Sequence, residues 1–122
     1  MNDFQTSNLR INEIKPLISP AVLSHHLPAS ENASQVVATA RKDSESILKG
    51  KDDRLMVVVG PCSIHDPGAA IEYATRLKET SRRFTADLLI VMRVYFEKPR
   101  TTVGWKGLIN DPDLNETYNI AK

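Results

Sequence analysis

The sequence has few of the features that mark several large classes of protein. It holds one cysteine in 122 residues, which excludes an intrachain disulfide and gives no reason to expect an oxidising compartment. Its longest apolar runs, residues 55–59 and 88–92, are far below the ~20 residues of a membrane helix. The N-terminus also lacks the basic and apolar regions of a signal peptide. These absences predict a cytoplasmic protein with no membrane partner.

The chain also lacks a large excess of charge of either sign. Sixteen basic residues face fifteen acidic ones, for a net charge of +1, so nothing in the whole chain favours nucleic acid as a partner. Gly60 and Pro61 do not form a phosphate-binding glycine loop, because they lack both the glycine count and the lysine of such loops. Any electrostatic contribution to function must therefore be local.

Two buried strands with a helix between them dominate the predicted fold. The runs at 55–59 and 88–92 are continuously apolar and rich in β-branched residues, which is typical of parallel strands buried on both faces. Asp66 and Pro67 predict the start of the helix. Its core-facing side should carry four small or apolar residues, Ala70, Ala74, Leu77 and Ser81. The chain therefore contains a βαβ unit, and its crossover should be right-handed.

The flanking segments are less regular. Leu9 and Ile11 alternate with a polar residue and predict a short strand, while Ser19 and Pro20 predict a helix that stops before Pro28. Residues 31–49 predict a longer helix, with Ser30 as its cap and Gly50 as its end. After residue 93 no third strand is indicated: residues 103–122 are typical of a long loop, with a helix that begins near Tyr118. Because two parallel strands alone leave unpaired edges, we expect the chain to be the opening part of a larger α/β protein.

Cys62 lies just past the end of the first strand, where parallel α/β folds gather functional groups. A thiolate there could ligate a metal, act as a nucleophile or undergo redox chemistry, and the alternative is a buried, inert cysteine. His65 is the nearest candidate base, but its sequence separation from Cys62 fixes no geometry. The simpler interpretation is that His65 and Asp66 shape the turn into the helix.

A cluster of cations follows the second strand. Four basic residues fall within fourteen positions beside the single acid Glu97, and two threonines add hydroxyl donors: Arg93, Lys98, Arg100, Lys106, Thr101 and Thr102. Arginine and lysine at a strand end suit phosphate or carboxylate ligands. One alternative is a solvated basic loop. Another is a nucleic-acid surface built around Trp105, although this tryptophan between two glycines is more typical of a loop anchor.

Two motifs together resemble the class I 3-deoxy-D-arabino-heptulosonate 7-phosphate (DAHP) synthases. They are Gly60-Pro61-Cys62-Ser63-Ile64-His65-Asp66 and the twenty-one residues from Met92 through Arg93-Val94-Tyr95-Phe96-Glu97-Lys98-Pro99-Arg100-Thr101-Thr102 and Gly104-Trp105-Lys106-Gly107 to Pro112. The resemblance implies the N-terminal part of a (β/α)8 TIM barrel, incomplete here, preceded by a strand and helix extension. Residues 1–50 would form the extension and residues 51–122 the start of the barrel.

The resemblance also implies a reaction and a set of site residues. Phosphoenolpyruvate would condense with erythrose 4-phosphate and water, releasing phosphate, with a divalent metal (Mn, Fe, Co or Zn) as cofactor. Cys62 matches the cysteine ligand of that metal. Arg93 and Lys98 match catalytic positions that hold phosphoenolpyruvate. Arg100 and Thr101 match the pair that grips the phosphate of erythrose 4-phosphate, with Lys98 and Pro99 close to that substrate.

Members of this class are roughly three times as long as this chain, and their later part carries a histidine and two carboxylates as further metal ligands. We therefore expect these 122 residues alone to be inactive. Residues 1–18 resemble the N-terminal extension of the class. This resemblance implies a homo-oligomer, a dimer or tetramer, and a possible aromatic amino acid as feedback inhibitor, although Ser7 and Asn8 stand where some members carry aspartates. The alternative function is a non-catalytic chain that binds a phosphometabolite or pairs with an intact subunit.

Overall fold

The described part of the chain contains three helices and two strands. A computed structural model describes residues 7, 9–11, 13–98 and 103–120. In chain order the elements are α1 (Pro20–His26), α2 (Glu31–Leu48), β1 (Leu55–Val59), α3 (Pro67–Ser81) and β2 (Leu88–Met92). The two helices and two strands predicted between residues 20 and 92 are confirmed, as is α3 between the strands.

Each helix begins where a short polar side chain can accept hydrogen bonds from free backbone N–H groups. The Ser19 hydroxyl accepts from the backbone of Val22 at 3.4 Å, and the Ser30 hydroxyl accepts from Ala33 at 3.1 Å. At α3 the Asp66 carboxylate accepts from the N–H groups of residues 68 and 69 at 2.7 and 3.1 Å. The capping residues predicted from sequence are therefore the residues that fix the helix starts.

The strands form a parallel pair whose register runs from Leu55 opposite Leu88 to Val59 opposite Met92. Helix α2 packs against both strands, and α3 packs against β2. The predicted core-facing side of α3 is confirmed, because the residues of that helix that are not exposed are Ala70, Ala74, Leu77 and Ser81. Parallel pairing brings the carboxyl ends of β1 and β2 to the same edge of the sheet.

The prediction that both strands are buried on both faces is wrong for β1 and holds only in part for β2. Leu55 and Val58 are 65% and 59% exposed, whereas every residue of β2 is half-buried. The reason is coverage: in the described part of the chain, β1 is paired along one edge only, and α2 is the one helix that packs on it. Ile64, 3% exposed, is the buried hydrophobic side chain of the described residues.

Two predicted elements are not found among the described residues. Leu9 and Arg10 lie in a turn rather than a strand, and no strand among the described residues pairs with them. No helix begins at Tyr118, whose φ is 50°. Leu114 and Glu116 also have positive φ, and non-glycine residues in this left-handed region cannot start a right-handed helix.

An ion-pair network joins α2 to the turn before β1. The Arg54 guanidinium donates to Asp43 of α2 at 2.9 Å and to Asp52 at 2.6 Å, and all three side chains are less than one-third exposed. The backbone N–H of Arg54 also donates to Asp52 at 3.0 Å. This network fixes the direction in which the chain enters β1.

In the part of the chain that the structure describes, no helix is both long enough and apolar enough to cross a bilayer.

Candidate functional site

The site is built at the edge of the sheet where both strands end. The backbone N–H of Arg93 donates to the carbonyl of Val59 at 2.6 Å, one residue past the last strand pair. Gly60 follows with a φ of 150°, and a Cβ there would lie 2.6 Å from the Arg93 carbonyl oxygen. The close approach of the segment at residue 60 to the backbone of Arg93 therefore requires glycine at position 60.

A second backbone contact joins the two loops beyond the strands. The N–H of Ile64 donates to the carbonyl of Tyr95 at 2.8 Å, and the Ile64 side chain is buried. These two contacts bracket Cys62 on one loop and Arg93 on the other. The loops consequently hold fixed positions relative to each other although neither belongs to a helix or strand.

Three of the predicted functional residues lie close together at this edge of the sheet. Nη2 of Arg93 donates to the Cys62 carbonyl at 3.4 Å, and Nζ of Lys98 lies 3.9 Å from the Cys62 sulfur, at the long limit of an N–H···S hydrogen bond. The Cys62 thiol is free and exposed, so the alternative of a buried, inert cysteine does not apply. The structure thus brings together a thiol and two cations that stand up to thirty-six positions apart in sequence.

The Arg93 side chain is held by an aromatic ring. Its guanidinium carbon lies 4.3 Å from the centroid of the Tyr95 ring, within the range of a cation–π contact. Its Nε is buried and has no hydrogen-bond partner among the described residues. Sequence reasoning missed Tyr95; the available signal was the spacing of two residues, which places both side chains on the same side of an extended segment.

Two backbone hydrogen bonds join the segment that follows β2 to residues 106–109. Lys98 donates its N–H to the carbonyl of Lys106 at 2.8 Å, and Ile109 donates to that of Phe96 at 3.2 Å. Gly107 has a φ of 110°, and a Cβ at this position would collide with the Phe96 carbonyl. Pro99, Arg100 and Thr101, predicted to bind substrate, lie outside the described residues.

Trp105 is a loop anchor, as predicted. Its indole N–H donates to the Asp111 carbonyl at 2.8 Å, and the side chain is half-buried. Sequence reasoning missed Asp111 itself, which is 3% exposed and accepts the N–H of Glu116 at 3.2 Å through its carboxylate. The preceding Asn110 and the following Pro112 were the turn signals that pointed to it. A tryptophan tied down in this way is poorly suited to stack nucleic-acid bases.

The predicted metal ligand can be tested against its surroundings. Among the described residues there is no group of three or more histidine, cysteine, aspartate or glutamate side chains that could hold a metal ion. Cys62 is an exposed soft donor of the kind that transition metals accept. His65 is also exposed and borders the pocket beside the start of α3, where Asp66 caps the helix. The described residues therefore fit one ligand of a metal centre, supplied by Cys62.

Fold and site together define an α/β protein that presents a thiol and cations at the carboxyl ends of adjacent parallel strands. The family model described as "DAHP synthetase I family" matches residues 28–122. The chain belongs to the DAHP synthetase I family, and the resemblance inferred from the two motifs is confirmed.

Curated relatives and a solved structure agree with this assignment. The chain is 60% identical over 118 residues to the Phe-sensitive phospho-2-dehydro-3-deoxyheptonate aldolase of Escherichia coli, covering 97% of the chain and 34% of that relative. The tyrosine-inhibited enzyme of Candida albicans is 56% identical over 113 residues, or 93% of the chain and 30% of the relative. The aldolase structure from Francisella tularensis superposes with a TM-score of 0.84 at 58% identity, covering 91% of the chain and 33% of the solved one. The chain thus spans about a third of the length of these relatives.

Proposed function

We propose that this chain provides the first substrate and metal contacts of a DAHP synthase, which condenses phosphoenolpyruvate with erythrose 4-phosphate and water to give DAHP and phosphate. The observation that carries the proposal is the convergence of Arg93 and Lys98 on Cys62, with separations of 3.4 and 3.9 Å. Family membership and the names of the relatives supply the reaction class.

The two cations have distinct tasks in this reaction. Arg93 offers a planar fork for the carboxylate or phosphate of phosphoenolpyruvate, and Lys98 adds a compact charge beside it. Two anionic substrates repel each other, so cations that neutralise and orient them lower the barrier to bringing the reacting carbons together. Arg100 and Thr101, with Pro99 nearby, are proposed to bind the phosphate of erythrose 4-phosphate.

Cys62 is proposed as one ligand of a divalent metal, Mn, Fe, Co or Zn. When bound, such a metal supplies Lewis-acid polarisation of the aldehyde oxygen. The other ligands are proposed to be a histidine and two carboxylates from the part of the family fold that extends beyond the matched segment. This chain alone is therefore expected to show no turnover with metal and both substrates.

The test is a chimera in which this chain replaces the aligned segment of the Escherichia coli relative. We expect the chimera to release phosphate from phosphoenolpyruvate only when erythrose 4-phosphate is present, and to form DAHP in equal amount. Arg93→Lys should raise the KM for phosphoenolpyruvate about tenfold, because lysine loses the bidentate fork. Cys62→Ser should weaken metal binding at least about tenfold, measured by calorimetry.

Arg83→Lys is the matched control, because Arg83 is exposed in the turn after α3 and should leave both parameters unchanged. The unmodified relative serves as the reference for folding and oligomeric state. A chimera that folds and assembles like the relative but forms no DAHP would contradict the proposal.

We also propose the family's barrel, its N-terminal extension and its feedback inhibition for this chain, on the basis of family membership. Residues 51–122 would form the first βαβ unit of a (β/α)8 barrel, and residues 1–50 an extension that contacts a neighbouring subunit of a homo-oligomer in the cytoplasm. Feedback by an aromatic amino acid is proposed because relatives are named Phe-sensitive or tyrosine-inhibited. Asn8, compared above with the aspartate of some members, lies outside the described residues.

A further inference from the structure

We propose that Tyr95 is a positioning residue for Arg93, whose guanidinium it supports on the face of its ring. The inference rests on the proposed function, in which Arg93 binds phosphoenolpyruvate, and adds to it the group that sets the orientation of this arginine. Tyr95 itself is not assigned a contact with either substrate.

Two neighbours restrict the Arg93 guanidinium from different sides. The Tyr95 ring lies 4.3 Å from the guanidinium carbon, and the Cys62 carbonyl accepts a hydrogen bond from Nη2 at 3.4 Å. Nε is buried without a partner among the described residues, so that N–H cannot turn outward without moving the whole side chain. The remaining N–H groups, on the two Nη atoms, are the ones available to an anion.

The ring can act as a support because its own backbone is fixed. The Tyr95 carbonyl accepts the N–H of buried Ile64 at 2.8 Å, and Arg93 is bonded through its N–H to Val59 at 2.6 Å. Val59 ends the strand before Cys62, and Ile64 lies in the loop just after it. Tyr95 thus couples the orientation of the arginine to the position of the cysteine loop.

This support has a consequence for binding. A long arginine side chain loses rotamer freedom when it grips an anion, and a side chain already held against a ring loses less. Removal of the ring should therefore weaken phosphoenolpyruvate binding and leave the later chemical step and the other substrate largely unaffected. This support does not require the hydroxyl of Tyr95, since phenylalanine also presents a ring face to a cation.

The kinetic test uses the chimera described above. Tyr95→Leu and Tyr95→Met should each raise the KM for phosphoenolpyruvate about fivefold, a factor within the range of cation–π contacts. Tyr95→Phe should stay within about twofold of the parent, and in all three variants kcat and the KM for erythrose 4-phosphate should change less than about twofold. Phe96→Leu is the matched control, because Phe96 is similarly exposed (44% against 49%) and no cation of the described residues stacks on it.

A second readout does not depend on activity. In NMR spectra of the folded chimera, the Arg93 side-chain protons should be shifted upfield by the Tyr95 ring, and the shift should persist in Tyr95→Phe and vanish in Tyr95→Leu. A missing shift in the folded parent chimera overturns the inference, as does an unchanged KM in both ringless variants or an equal loss in Tyr95→Phe. An inactive parent chimera whose Arg93 protons are shifted would instead contradict the proposed function.

Discussion

Gly60 is the residue on which the geometry of the site depends most directly. Its backbone passes so close to Arg93 that a Cβ would lie 2.6 Å from the carbonyl oxygen and 3.0 Å from the nitrogen of that residue. Both atoms belong to the backbone and cannot rotate away. A larger residue at position 60 must therefore separate the two loops, and with them Cys62 and Arg93.

Gly60→Ala is expected to destabilise the fold and impair the site together. The strained φ and the collision should lower the free energy of unfolding by about 2–3 kcal/mol, measured by urea denaturation of the chimera, and should raise the KM for phosphoenolpyruvate. Gly50→Ala is the control: Gly50 has a φ of 66°, but nothing lies within 4 Å of its added Cβ. Equal losses in the two variants would show that the close approach to Arg93 is unimportant.

The entry into β1 is governed by the network of Arg54 with Asp43 and Asp52. Hydrogen bonds from the Arg54 side chain, and then from its backbone N–H, hold the pKa of Asp52 below its ordinary value of 3.8. The same carboxylates raise the pKa of Arg54, so its charge is constant throughout the accessible range. A carboxylate with a lowered pKa in the folded state stabilises that state above the unfolded pKa.

The stabilisation by Asp52 should accordingly be complete above about pH 5 and decline as the pH falls through 3.8 towards the folded pKa. We expect Asp52→Asn to lower the thermal midpoint of the chimera at pH 6, and the difference from the parent to shrink progressively between pH 4 and pH 2. Asp53→Asn is the matched control, because Asp53 is adjacent and exposed. A difference that stays constant over this range would contradict the linkage.

The elements that sequence predicted correctly are those whose signals are local. Ser30 and Asp66 cap their helices with their own side chains, and an unbroken apolar run indicates β2. The strand predicted at residues 9–11 failed because a strand needs a partner, and pairing is not a local property. The convergence of Lys98 on Cys62 followed from parallel topology. The spacing of two residues places the Arg93 and Tyr95 side chains on one side of the segment, but it does not fix the rotamers that bring them into contact.

At the scale of the whole molecule, apolar surface exceeds what the described elements can cover. A groove of about 880 Å³ runs between α2 and β2. Its lining includes eight apolar residues, Val36, Val37, Ala40, Leu48, Ile90, Val91, Met92 and Val94. The edge of β2 that faces away from β1 is unpaired among the described residues. Because the relatives are about three times as long as this chain, we predict that the part of the family fold beyond the matched segment covers this groove.

Burial of the groove can be tested with a charge placed in it. In the chimera, Val37→Lys should lower the free energy of unfolding by roughly 2–4 kcal/mol. The covered groove would then either bury an unpaired ammonium group or have to repack to release it to solvent. Gln35→Lys is the control on the same helix: Gln35 is exposed and does not line the groove, so its substitution should change stability by less than about 0.5 kcal/mol. In this chain alone Val37 is 48% exposed, and the two lysine variants should differ little. Urea denaturation should therefore show a large loss of unfolding free energy for Val37→Lys in the chimera and a small loss in the isolated chain. The same loss in both would mean that the groove stays open when the rest of the fold is present.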